Sequence, residues 1–151
     1  MTKVYLAANA MDRPSWMGML ARAKAQRLAQ LLPDLPAHSF LRAPEVGAVM
    51  VRGRIGGVGQ PFNLGEMTIT RCTISLTAGA VGHACVQGRD KAHAVRAAAV
   101  DALMQTDQAK AVHATVLAPL VAEETARRGL RAAKAAATKV DFFTLVRGED
   151  Q

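Results

Sequence analysis

Apolar side chains recur at three-and-four spacing through the first patterned stretch of the chain. Between about residues 14 and 32, Trp16, Leu20, Ala23, Leu28 and Leu31 form a stripe that predicts a helix. Asp12 followed by Pro14 marks its start: a capping carboxylate, then a ring already set to helical φ. Pro33 and Pro36 stop it. Residues 1–11 read as a loose tail.

From Glu45 the period changes to two. Val49, Val51 and Ile55 alternate with Met50, Arg52 and Arg54, which predicts a strand with one wet face. GGVGQPFNLG then reads as a glycine-rich loop, and EMTITRCTISL, rich in Thr and Ile, as a second strand. Thr77 to Ala80 form a tight turn, and AVGHACVQG returns as a third strand. That turn is too short for a crossover, so the meander is antiparallel. A second helix starts near Arg89-Asp90 and places Ala94, Val95, Ala98, Leu103 and Met104 along one broad side. A third runs from about Leu120 to Lys139, with Glu123 and Glu124 in its first turn where the helix dipole favours them. The expected fold is α+β: a tail over 1–11, then one domain over 12–151 with an antiparallel meander of three to four strands packed with about three helices.

Composition sharpens this picture. Half of the 151 residues are hydrophobic but only 4% are aromatic, so the core is built on Ala, Val and Leu and gains from contact with partner surfaces. Nineteen basic against twelve acidic residues give a formal charge of +7. That favours an acidic partner, whether nucleic acid, a nucleotide polyphosphate or an acidic protein face, without choosing among them. Cys72 and Cys85 are too few for a disulfide framework. The apolar stretch from Val4 to Met11 is too short for a signal peptide and no segment is long enough to span a membrane, so a reducing cytoplasm is the expected location.

Four clusters carry candidate chemistry. Gly53, Gly56, Gly57 and Gly59 lie among Arg52 and Arg54; glycines let backbone N–H groups approach an anion, and arginines supply paired donors. No Gly-Lys-Ser/Thr is present and no helix follows, so this is neither a P-loop nor a dinucleotide fingerprint, and a plain strand connection with a solvated arginine face reads the same residues. Cys72, His83, Cys85 and His93 form the second cluster. A two-residue Ala78-Gly79 turn would set Cys72 opposite Cys85, with His83 on the same face, yet the spacing lacks the tight ligand pairs of zinc sites and no metal is expected. Third, Arg127, Arg131 and Lys134 share a helix face, fit for phosphates, an acidic partner or simple solvation. Fourth, Phe142-Phe143 either caps the core or enters a neighbour. No Gly-x-Ser-x-Gly elbow supports a hydrolase triad.

The ordered words go further. Arg42-Ala-Pro-Glu45-Val-Gly47, then Arg52-Gly-Arg-Ile-Gly-Gly-Val-Gly59-Gln-Pro-Phe62-Asn-Leu-Gly-Glu66, resemble the PhnG family, a small subunit of the bacterial carbon–phosphorus lyase system. Thr70-Arg71, Gly88-Arg89-Asp90-Lys91, Asp101-Ala-Leu-Met104 and Val140 to Gly148 extend the resemblance over residues 12 to 148, loosely between Thr106 and Lys139.

The resemblance implies a non-autonomous subunit of a core complex in organic phosphonate catabolism. That complex displaces adenine from ATP with an alkylphosphonate, giving α-D-ribose 1-alkylphosphonate 5-triphosphate. It implies partners that include a nucleosidase-like subunit and an iron–sulfur radical subunit, with catalytic residues on a partner chain. ATP would be a substrate of the complex, and no cofactor is expected on this chain. Two cysteines cannot ligate an iron–sulfur cluster alone. Arg42, Arg52, Arg54, Gly56, Gly57, Gly59, Arg71 and Arg89 are the candidates for anion binding or a partner interface; Glu45 and Glu66 could instead tie the arginines up internally. Two rival readings are a basic nucleic-acid-binding module, of which nucleic-acid binding on this chain is otherwise not expected, and a stand-alone metal hydrolase using Cys72, His83 and Cys85.

Overall fold

The computed structural model of the chain describes residues 11–140. Two short helices, α1 (Arg13–Arg22) and α2 (Ala25–Leu31), precede a three-stranded antiparallel sheet in the order β1 (His38–Arg54), β2 (Pro61–Leu76), β3 (Val81–Gln87). Helix α3 (Lys91–Leu103) follows, then α4 (Ala109–Val112), which runs through one π turn at His113–Leu117 into α5 (Ala118–Ala137). This is the α+β meander expected.

The first helix is broken where one was expected. Ala23 and Lys24 take extended ψ values of 150° and 127°. A continuous helix would carry the Trp16–Leu20–Ala23 stripe on to Arg27; the break resets the phase so that Leu28, fully buried, turns inward instead. Asp12 caps α1 as expected, accepting from the Ser15 N–H at 3.1 Å.

Helix α3 is the centre of the packing. It lies on β2 and β3, with α1 and α2 against it. Half of its buried residues are alanine, Ala94, Ala97, Ala98, Ala99 and Ala102, joined by Val95, Val100 and Leu103 and by the polar His93 and Asp101. Small side chains let helix and sheet approach closely, and Gly82 on β3 completes the contact. A Cβ at Gly82 would strike the Ala98 carbonyl and come within 2.7 Å of the Ala102 nitrogen and 2.8 Å of its Cβ. From the sheet, Cys72, Ile74, Leu76, Ala84 and Val86 face this helix, and Met19, Leu20, Leu28, Val116, Leu117 and Leu120 close the core.

One carboxylate sits inside that apolar layer. Asp101 has no exposed side-chain surface. Its Oδ1 accepts from Arg13 Nε at 3.0 Å and Trp16 Nε1 at 2.9 Å; its Oδ2 accepts from the second Arg13 nitrogen at 2.7 Å and the His83 backbone N–H at 2.9 Å. One residue thereby ties α1, α3 and β3 together, every acceptor site used. Hydrogen bonding to Asp101, opposed by burial and aided by the carboxylate's charge, holds the Arg13 guanidinium above its ordinary pKa.

Three further expectations are corrected. The hairpin strands are longer than their patterns suggested: β1 begins at His38, and β2 begins at Pro61, so the second half of the glycine-rich stretch is strand. Cys72 pairs with Ala84, and Cys85 with Arg71. The turn closes through the Leu76 N–H and Ala80 carbonyl at 2.8 Å, one step off a two-residue hairpin. Cys72 is therefore buried and Cys85 exposed, on opposite faces, and only His83 and Cys85 share one. Finally, the last helix starts at Ala118 on top of α4, so Glu123 and Glu124 lie within it and pair with Arg27 at 2.7 Å and Arg22 at 3.3 Å. Phe142-Phe143 lies outside the described residues.

Candidate functional site

β3 pairs with β2 only between Ile69 and Ser75. Beyond that point β1 and β2 continue alone as a two-stranded ribbon, from Ala48↔Thr68 out to Arg54↔Pro61. An isolated ribbon of two strands is marginal in water. This one is also apolar: Val58 at its tip is 90% exposed, Leu64 66% and Ile55 65%, with Met50 and Phe62 exposed nearby. Monomeric domains seldom leave apolar surface of that extent in water on an unsupported element.

The glycines shape the tip. Gly56 and Gly57 have φ of 60° and 84°, which other residues reach only with strain. A Cβ at Gly59 would come within 2.6 Å of the Ile55 carbonyl, which the Gly59 N–H bonds at 2.8 Å. Arg54 donates to the Gly59 carbonyl at 3.1 Å, bracing the loop it belongs to. Hairpin geometry thus accounts for all three glycines.

Pairing places the candidate arginines in three groups. Alternation along β1 from Val46 through Met50 keeps Arg52 and Arg54 on the ribbon face that continues from the helix-covered side of the sheet, the bulge at Leu64 falling on β2. Arg42 and Arg71 belong to the opposite, helix-free face, near the ribbon's base. Both reach one oxygen of Glu45, at 3.1 Å and 3.4 Å, and Gly47 leaves room for the Arg71 guanidinium. Two guanidiniums on one carboxylate oxygen leave further donors to each, and Arg71 Nε is buried with no hydrogen-bond partner among the described residues. Beside them Thr73 Oγ1 meets His83 Nδ1 at 3.1 Å, and Cys85 lies across from Arg71. Arg89 stands apart, exposed in the turn before Asp90 caps α3.

The metal reading loses its geometry here. Among the described residues no three His, Cys, Asp or Glu side chains gather to hold an ion. Burial pushes the Cys72 thiol above its ordinary pKa, the behaviour of a packing residue. His93 is also buried, its Nε2 donating to the Leu20 carbonyl at 2.9 Å. Among the described residues no helix is long and apolar enough to cross a membrane.

Sequence reasoning passed over two features. Asp101 lies seven residues after Ala94 and three after Ala98, on the apolar side of its helix, and an acid at core spacing was a readable signal for a buried ion pair. The apolar reach of the ribbon was hidden because Leu64 and Phe62 were read as loop.

Comparison with known proteins agrees with the ordered motifs. A family profile described as "Phosphonate metabolism protein PhnG" matches residues 11–148. A protein of Rhizobium meliloti (strain 1021), named alpha-D-ribose 1-methylphosphonate 5-triphosphate synthase subunit PhnG, is 47% identical over 150 residues, covering 95% of this chain and 94% of the relative. Matched from end to end, with its motifs in order, the chain belongs to the PhnG family of phosphonate metabolism proteins.

Proposed function

We propose that this chain is a non-autonomous subunit of a synthase that joins an alkylphosphonate to the ribose of ATP with loss of adenine. The observation that carries the reading is the ribbon: a two-stranded, apolar projection ending at Val58 and left exposed by its own chain. The name of the Rhizobium relative, a subunit of an alpha-D-ribose 1-methylphosphonate 5-triphosphate synthase, supports the product of that reaction. In such a reaction a phosphonate oxygen replaces adenine at the ribose carbon while a triphosphate sits on the same sugar. Anionic groups must be brought together, and guanidiniums offset their repulsion. Arg52 and Arg54 at the ribbon, and Arg42 and Arg71 once Glu45 yields, are the side chains here with that chemistry.

The catalytic groups belong on a partner chain in this reading, with a nucleosidase-like subunit and an iron–sulfur radical subunit among the partners. ATP is a substrate of the complex, no cofactor is held here, and the assembly works in the cytoplasm. Co-expression with the other core subunits tests it. A tagged chain should co-purify with them, and omitting it should abolish adenine release dependent on ATP and phosphonate. The paired variant Arg52→Ala/Arg54→Ala should lower that activity or assembly. A chain that elutes alone and binds nucleic acid in a salt-dependent way would replace the reading with the nucleic-acid one.

A further inference from the structure

A second element stands clear of the body. The run through α4 into α5 is packed at Val112, Val116, Leu117 and Leu120, but from Thr125 to Ala137 every residue is exposed. That length carries Arg127, Arg128, Arg131 and Lys134 and no acidic residue. Glu124 engages Arg128 at 2.6 Å, whereas Arg127, Arg131 and Lys134 make no ion pair among the described residues. Spacings of four and three set those three cations on one stripe. Ala126, Leu130 and Ala133 form a parallel apolar stripe beside it, with Leu130 67% exposed.

The apolar stripe leads into a groove. Between α5 and the α1–α2 break, Met19, Ala23 and Leu120 line a cleft of about 400 Å³ that continues to Leu130, with Lys24 and Arg127 in its lining and with Glu123 and Glu124 there already paired, to Arg27 and to Arg22 and Arg128. An Ala-, Arg- and Lys-rich helix holds its form without packing, and alanine would serve better than leucine at an exposed site. Helicity alone therefore does not account for Leu130.

We propose that the distal half of α5 and this groove dock an acidic amphipathic segment of a partner subunit. Its apolar side chains lie along Leu130 and into the cleft, and its carboxylates meet Arg127, Arg131 and Lys134. The inference rests on the subunit reading above. A second copy of this chain, at +7, brings the wrong charge. Nucleic acid would use the cations but not the apolar stripe beside them.

The test compares assembly of the full chain with its co-expressed partners across a salt series. The triple variant Arg127→Glu/Arg131→Glu/Lys134→Glu should weaken assembly about tenfold or more at low salt, with the gap narrowing as salt screens the charges. Leu130→Ser should weaken it a few-fold at every salt concentration. Both sites are exposed, so melting of the isolated variants should match wild type, and Leu130→Ser answers the question if the triple variant does not fold. Wild-type assembly by both variants overturns the proposal while leaving the synthase reading intact; failure of the unaltered chain to assemble removes that reading itself. Lost nucleic-acid binding with unchanged assembly also overturns it. So does hydrogen-exchange protection of α5 in the isolated chain that disappears when the chain is cut after Val140, because the groove is then filled from within.

Discussion

Replacing Asp101 by alanine removes the one group that joins α1, α3 and β3 through hydrogen bonds. Four donors on three residues lose their acceptor, and they do not suffer equally. The Trp16 indole N–H and the His83 backbone N–H are directed into a fully buried carboxylate, and each costs about 1–3 kcal/mol when left unpaired. The Arg13 side chain is 39% exposed and can turn to water, so its share is discounted. A loss of about 3–5 kcal/mol follows, in the range for breaking a buried pair from one side. Against a total stability of about 5–15 kcal/mol this is severe. Asp101→Asn keeps the shape but sets an NH₂ group against a donor, and should cost about 2–3 kcal/mol. Arg13→Ala, by contrast, leaves the carboxylate bonded to Trp16 and His83 and should cost less than Asp101→Ala.

Urea denaturation gives these differences, followed both by far-ultraviolet circular dichroism and by emission of Trp16. That residue is the single tryptophan of the chain and itself bonds Asp101, so native-state emission should shift in both Asp101 variants. An Asp101→Ala loss below about 1 kcal/mol, with unchanged emission, would refute the assignment of this carboxylate as the tie between the layers.

Three other outcomes follow from the packing and the titratable groups. Gly82→Ala places a methyl against the α3 backbone, which cannot yield as a side chain would, and should cost at least about 3 kcal/mol in thermal or urea unfolding. Burial holds the His93 ring below its ordinary pKa of 6.5, more strongly than the Leu20 carbonyl and Asp90 raise it. The unfolded chain therefore takes up that proton first; the stability is complete above pH 6.5 and falls with pH below it, and His93→Gln should flatten that part of the curve. A thiol reagent should label Cys85 rapidly in the native chain and Cys72 only on unfolding, and two fast-reacting thiols would contradict the strand register.

The meander, helix α3 with its Asp90 cap and the start of α1 were all legible because local chemistry decides them: alternation in EMTITRCTISL, a carboxylate before an alanine run, Asp12 before Pro14. The break after Arg22 was not. No glycine or proline marks it, and it exists because Leu28 is buried against α3, a tertiary demand that overrides local preference. The Cys72 register failed by one residue because turn length, not strand pattern, sets it. Among the candidate arginines, sequence order grouped what pairing separates. Arg52 and Arg71 lie on opposite faces, whereas Arg42 and Arg71, distant in the chain, meet at Glu45.

The ribbon also bears on how this protein is made in the cell. A hairpin with Val58, Leu64 and Ile55 in water is, in the proposed subunit, a surface that chaperones and proteases should engage whenever no partner covers it. Its folded lifetime then depends on the concentration of whatever covers it. Copies synthesised in excess should be short-lived, so that abundance is matched to the partner after translation, by turnover of the orphan chain.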